Sequence, residues 1–458
     1  SSAASDVYKR QLLVSKKYLR EEKFMDKMAD VLGRAGAWCG QNKYLSAIKN
    51  AFQNFMPLTI AGAIGVLWCN VLVNESTGLG IFFKPIMALE FLNPAFQAVN
   101  FCTISCITVG ITLGIAQEIG VWNMGAEKAG YIPGLVGLAA WLSVTNTSHV
   151  LKGAKEAFTG IAGNELGATG LFTGMIIGVL SVELFCFFEK QDALKIKMPE
   201  QVPPGVARAF EVLVPATITL IITACIGSAC YNLTGLYLND VIKNGIQGPL
   251  GAVGATIPGV MIIYLVIMLF WLVGIHGNNM LSAVKEALFT PLALENVEKF
   301  NKGEKPTNII NMYALQMWGE FGGSGVTIGL VIAIMIFGKR EDNKAIATLS
   351  LVPGLFNINE TVTFGIPMVL NPILGIPFVV APLITIIIGY VLTVIGFCPV
   401  ACLTVPWTTP PIVFGFLATG ANVMGAVTQA ILIVVSTVIY TPFLISYEKY
   451  QNKQAAEA

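Results

Sequence analysis

The chain has 458 residues, of which 55% are hydrophobic and only 12% charged, with a mean hydropathy of +0.70. Soluble domains carry about 25% charged residues, so this composition excludes an ordinary soluble enzyme and describes a polytopic, all-α membrane protein. The net charge of +1, with no basic face and no interleaving of aromatic and basic residues, excludes nucleic acid as a partner. The nine cysteines are scattered through apolar runs. Cys102/Cys106 and Cys398/Cys402 are spaced by four, but no Cys-x-x-Cys pair or histidine partner accompanies them, so they read as small buried hydrophobes in a reducing compartment. No metal and no cofactor is expected.

Residues 1–24 read as a tag, scar or disordered tail, and Met25 as a plausible start. From Ser1 to Asn50 there are ten Lys/Arg against five Asp/Glu, which places this end in the cytoplasm. An amphipathic helix is expected over 28–55. Apolar spans follow at 55–73, 98–116, 131–144 (short) and 168–188. A loop with Lys190, Lys195, Lys197 and Arg208 reads as cytoplasmic, and further spans run over 212–238, 257–275 and 322–337. The charged stretch 338–344 is a second cytoplasmic loop.

Two loops on one side need an even number of crossings between them, yet only three clear spans separate Arg208 from Lys339. The shortfall falls in 276–318, where a weakly apolar piece, 280–294, reads as a hairpin dipping into the membrane. Beyond 346–356 and the polar-interrupted stretch 357–372 come a span at 373–397, a Pro-rich passage and a last span at 423–446. The tail, 448–458, is cytoplasmic. The expected architecture is about ten transmembrane helices plus two re-entrant hairpins, near 276–318 and 350–372.

Three constellations can carry chemistry. Asn357-Ile-Asn-Glu-Thr…Pro372 sets the carboxylate Glu360 between amides, at membrane depth, where a charge costs about 3 kcal/mol. No Lys or Arg in the neighbouring apolar sequence pairs with it. Glu360 fits either a hydrogen-bond acceptor and general base for a sugar hydroxyl or the proton relay of a symporter. Gly274-Ile-His-Gly-Asn-Asn-Met280 places His276, Asn278 and Asn279 at the end of a hydrophobic run, donors and acceptors suited to a polyhydroxylated ligand. Thr404-Val-Pro-Trp-Thr-Thr-Pro-Pro411 offers Trp407 as a stacking surface for a sugar ring. Gly319–Gly325 lacks the Lys-Ser/Thr of a phosphate loop and reads as close helix packing. Glu183 and Glu320 are weaker acidic candidates, and His149 is incidental.

With these residues in view the chain resembles a known family. Gly-Ile-His-Gly-Asn-Asn at 274–279, Phe-Asn-Ile-Asn-Glu at 356–360, Phe-Gly-Ile-Pro-Met-Val-Leu-Asn-Pro at 364–372 and Pro-Trp-Thr-Thr-Pro-Pro at 406–411 are similar to the membrane IIC component of bacterial sugar phosphotransferase systems, in the lactose/cellobiose/diacetylchitobiose class. The resemblance runs from about Met25 to the C-terminus, with Thr361 standing where a Pro is common. It implies a homodimer in the bacterial cell membrane. An N-terminal dimerisation half (25–240) and a C-terminal sugar-binding half (241–447) carry inward transport of a β-linked disaccharide, coupled to its phosphorylation by the phosphocysteine of a separate IIB protein. By motif, Glu360 and His276 match the catalytic pair at the reacting hydroxyl, and Asn279 and Asn359 match further sugar ligands; Asn278, Asn357 and Trp407 complete the expected binding set. The competing expectation is an ion-coupled sugar symporter in which Glu360 and His276 shuttle protons without phosphorylation.

Overall fold

A computed structural model describes residues 30–38, 41–75, 80, 83–150, 157–199 and 201–457. The reading of 1–24 as an extraneous tail, the start at Met25 and part of the expected 28–55 helix lie outside the described residues. The protein is mostly helical. Helix α1 (Lys43–Leu67) starts where the Asn42 side chain accepts the N–H groups of Tyr44 and Leu45, both at 3.1 Å. It is followed by α2 (Asn93–Cys102), α3 (Ile107–Met124), α4 (Ile132–Val144), a two-stranded antiparallel pair β1 (Ser148–Val150) and β2 (Ala157–Thr159), α5 (Ala168–Glu189) and α6 (Pro204–Thr234). The second half of the chain holds α7 (Ile257–Leu272), α8 (Gly277–Met280), α9 (Ser282–Asn301), α10 (Met312–Gly319), α11 (Ile328–Phe337), α12 (Glu341–Leu355), α13 (Glu360–Gly365), α14 (Gly375–Val394), α15 (Val413–Ala418) and α16 (Val423–Glu457).

Among the described residues six helical runs are long and apolar enough to cross a membrane, or seven if the bent pair Met312–Val326 and Ile328–Phe337, which meet at 59°, is one span. Two shorter apolar helices, Ile132–Val144 and Ile257–Leu272, accompany them. Outward-facing Leu213, Ile221, Val434 and Val438 are exposed, as helices solvated by lipid require. Since lipid is as apolar as leucine, close approach of small residues holds such helices together. A Cβ on Gly174 of α5 would lie 2.2 Å from the Thr112 hydroxyl on α3. Buried Thr and Ser hydroxyls along the helices bond back to carbonyls one turn earlier, for example Thr219 to Pro215 and Thr223 to Thr219, each at 2.8 Å.

Helices α1, α3, α4 and α5 pack on one another, as do α11, α14 and α16, and one continuous apolar core joins the two groups. Helix α9 lies against α1 and α5 of the first group and against α10, which in turn packs on α14 and α16 of the second. Its Asn296, wholly buried, accepts the N–H groups of Thr307 and Asn308 and donates to the carbonyls of Asn308 and Ala401, which fixes the return of the chain into α10.

Charged residues collect at helix ends. Glu189 at the end of α5 is almost fully buried and pairs with Lys128 at 2.8 Å and Arg208 at 2.9 Å, while Lys43 pairs with Glu183 at 2.6 Å. The start of α1, the end of α5 and the start of α6 therefore share one rim, and Glu183 is an ion-pair partner there. The 338–344 loop docks on α16, where Glu448 accepts the backbone N–H groups of Lys339 at 2.9 Å and Arg340 at 3.3 Å. This loop and the C-terminal helix thus share one side. Hydrogen bonds from the Arg340 guanidinium hold the Asp342 carboxyl below the usual carboxylate range. His149 sits on β1 against Phe158, away from the cavity described next.

Candidate functional site

Two breaks in helical structure build the site. Helix α7 stops at Leu272, and Gly274 turns the chain with φ +82°. His276 then caps α8, its Nδ1 accepting the Asn279 N–H at 3.3 Å, and its ring lies 4.4 Å from the Trp271 ring at a 48° tilt. Gly277 has to be glycine, because a Cβ would fall 2.0 Å from the Ile267 carbonyl oxygen. The imidazole is thereby held by its cap bond on one edge and by an aromatic ring, with Nε2 left to face the second break.

That second break follows α12, where Asn357 takes the left-handed conformation (φ +62°) that Asn tolerates best after Gly. Its side-chain oxygen accepts the Gly322 N–H at 2.6 Å, and its nitrogen donates to the carbonyls of Trp407 at 2.5 Å and Thr409 at 3.0 Å. One amide ties three loops together. Asn359, buried, donates to the Ser324 carbonyl at 2.7 Å and packs so tightly on Gly323 that a Cβ there would sit 2.6 Å from its own. Asn278 reaches the same turn from the first break, donating to the Ser324 hydroxyl at 3.0 Å. The 322–325 turn is thus the platform on which both breaks rest, in keeping with the packing role expected for Gly319–Gly325.

Glu360 opens α13, with its carboxylate 4.0 Å from His276 Nε2. That separation is too long for a direct hydrogen bond, and one hydroxyl oxygen placed between the two groups can bond both. Both side chains are open to a cavity of about 470 Å³, within the roughly 300–1,000 Å³ range of small-molecule sites. His276, Asn278 and Asn279 line it from the first break, Asn357, Asn359 and Glu360 from the second, and Trp407, half-exposed, from the Pro-rich loop. All seven residues expected from the sequence therefore meet in one cavity. Their environments differ. The amide of Asn357 is committed to the framework, the buried Asn278 side-chain oxygen has no hydrogen-bond partner among the described residues, and Glu360 is half-exposed.

A chain with this architecture can be placed among known proteins. The family model described as "Phosphotransferase system, EIIC" matches residues 49–382. The chain belongs to the phosphotransferase system EIIC family. It is 32% identical to the oligo-beta-mannoside-specific EIIC component of Bacillus subtilis, over 93% of this chain and 94% of that protein. It is 30% identical to the cellobiose-specific EIIC component of Lactococcus lactis, over 93% of this chain and 98% of that protein. A similar solved structure is that of the transporter ChbC, the IIC component of an N,N'-diacetylchitobiose-specific phosphotransferase system. It matches with a TM-score of 0.83 at 29% identity and covers 92% of this chain and 97% of that one. The protein is accordingly the membrane transport component of a phosphotransferase system, and a multi-pass membrane protein.

This EIIC also holds site features that sequence reasoning missed. Lys285 of α9 is one: it pairs with Glu320, the weaker acidic candidate of the sequence, which stands on the cavity wall and accepts the Tyr264 hydroxyl at 2.7 Å. Lys285 lies 5.5 Å from the Tyr264 ring centroid. Glu286, beside it, lines the cavity and accepts the Thr290 hydroxyl. Two charged residues inside the weakly apolar 280–294 piece were the available signal, because ionisable residues at membrane depth are rarely idle. Gln429 on α16 also lines the cavity; it accepts the N–H groups of Ile412 and Gly415, both at 2.7 Å, which holds Ile412 at φ +76°. Helix α1 supplies a further wall through Lys49, Gln53 and Met56, and no local motif announces that contribution.

The Asn357 tie is testable. Asn357→Ala leaves two carbonyls and one N–H without their partner, at roughly 1–3 kcal/mol for each one left buried. We expect thermal unfolding of the solubilised EIIC to move down clearly, and Asn357→Gly, which relieves the left-handed backbone, to recover only a small part. Wild-type stability in both variants would show that the amide joins nothing of consequence.

Proposed function

We propose that this EIIC carries a β-linked disaccharide of the cellobiose, diacetylchitobiose or lactose type inward and presents it for phosphorylation by the phosphocysteine of a IIB protein, itself recharged by IIA and an upstream phosphocarrier. The observation that carries this reading is the approach of Glu360 and His276 to 4.0 Å across one amide-lined cavity, from two separate chain breaks. Glu360 accepts the proton of the reacting hydroxyl, and His276 orients that hydroxyl. In-line positioning and charge stabilisation supply most of what phosphoryl transfer requires, so no covalent help from this chain is needed. Asn278, Asn279 and Asn359 bond further hydroxyls. Asn357 contributes by holding the loops, and the exposed face of Trp407 stacks on a sugar ring.

In this reading the chain crosses the membrane about ten times, with the breaks near 276–318 and 350–372 as re-entrant hairpins and both termini cytoplasmic. The half at 25–240 forms a homodimer contact and the half at 241–447 moves with the sugar. Support comes from the broken helices, whose irregular backbone lines a polar cavity as membrane depth demands. The docking of the 338–344 loop against α16 gives these two segments a common side. The decisive measurement is uptake of radiolabelled cellobiose, diacetylchitobiose and lactose in cells with and without the phosphoenolpyruvate-dependent phosphocarriers. We expect one or more sugars to enter as phosphates, and only when the carriers are present. Uptake that persists without them and collapses with a protonophore would replace this reading with ion-coupled symport.

A further inference from the structure

Helix α1 turns one stripe toward the cavity: Lys49, Gln53, Met56 and Ile60, spaced at the three- and four-residue intervals of a single helix face. Lys49 stands at the N-terminal end of that stripe. It is the one Lys or Arg among the described residues that line the cavity. A small cleft shared with Ser46, Asn279 and Ser282 also touches Lys49, which puts its side chain between α1 and the turn that carries His276.

Its electrostatic situation is unusual for this protein. Lys43 is paired with Glu183, Lys128 and Arg208 with Glu189, and Lys285 with Glu320. Among the described residues Lys49 has no ion pair and no hydrogen bond, although it is half-buried. The carboxylates lining the same cavity are Glu286, Glu320 and Glu360. With Glu320 neutralised by Lys285, the two remaining carboxylates would repel an incoming phosphoryl group, which carries close to two negative charges. A cation is required where that group arrives.

We infer that Lys49 is the residue of this chain that contacts the phosphoryl group, stabilising it during transfer and afterwards holding it on the sugar. The inference rests on the phosphorylating role proposed above. In the step, the sugar oxygen forms a bond to phosphorus as the sulfur–phosphorus bond of the phosphocysteine breaks. The hydroxyl proton goes to Glu360 and the donor leaves as a thiolate. Lys49 supplies a fixed positive charge to the phosphoryl oxygens and exchanges no proton. Lysine suits this task as a compact point charge on a long stem, free to follow the group from donor to acceptor.

The experiment uses full-length protein in vesicles, a phosphorylated IIB of the cellobiose class as donor and cellobiose as acceptor, with Lys49→Gln, Lys49→Met and Lys49→Arg. We expect transfer to fall about 100-fold in the Gln and Met variants and to recover largely in the Arg variant. Calorimetry should show cellobiose affinity within about two-fold of wild type and affinity for cellobiose 6-phosphate reduced about ten-fold in the Gln and Met variants. Unchanged transfer in both neutral variants overturns the assignment. So does an equal loss of affinity for sugar and sugar phosphate, which would make Lys49 an ordinary sugar ligand or a structural residue. Absence of transfer in the wild-type protein itself would instead overturn the phosphorylating role, and this assignment with it.

Discussion

Glu360→Gln should leave a transporter that still binds its disaccharide and barely phosphorylates it. Gln matches Glu in size and still offers an oxygen to a sugar hydroxyl, so the loss in affinity is only the difference between a charged and a neutral hydrogen bond, about ten-fold. Transfer loses its proton acceptor, and removing a positioned general base lowers rates by about 10²–10⁴-fold. The paired measurement is sugar affinity by calorimetry and phosphoryl transfer from a phosphorylated IIB, both on the same preparation. His276→Asn should behave less severely, because the histidine orients the hydroxyl without taking its proton. Phosphorylation at the wild-type rate by Glu360→Gln would remove this carboxylate from the mechanism and leave it as a sugar ligand.

The second large effect concerns stability. Lys285 and Glu320 have side chains only 8% and 17% exposed, so deleting one partner strands a charge in the interior. Breaking a buried pair in this way costs about 3–5 kcal/mol, whereas replacing both partners by neutral groups is often harmless. Lys285→Met should lower the unfolding temperature of the solubilised protein by about 10 °C. The double variant Lys285→Met with Glu320→Gln should recover most of that loss, since Gln can still accept the Tyr264 hydroxyl. A single variant as stable as wild type would mean that the pair is solvated. Because Glu320 also lines the cavity, the double variant further reports whether the pair merely supports the wall or senses the sugar.

Much of this could be read from local sequence. Membrane character followed from composition. The exceptional stretches 274–280 and 357–372 stood out because polar residues and helix breakers in apolar sequence are unfavourable without a compensating role. The seven residues named from those stretches and from 404–411 all line one cavity. The odd crossing count falls on 276–318, where helical structure is broken between α7, the short α8 and α9. Amphipathic periodicity carries little information in this chain, because a helix in lipid shows no polar outer face to mark its orientation.

Hydropathy and motif spacing thus determined by themselves that this is a membrane protein, where its apolar segments lie and which polar residues are out of place among them. Those are properties of consecutive residues and the solvent they prefer. Three features depended on residues far apart in the chain, and only the tertiary structure decided them. Asn357 joins 322 to 407 and 409, so its amide serves the framework as much as the cavity. Lys285 finds Glu320 across 35 residues. Lys49 reaches the cavity from the first long helix and arrives there without a counter-ion among the described residues. A local window records that a charge is present; the partner that neutralises it, or the lack of one, is set by packing.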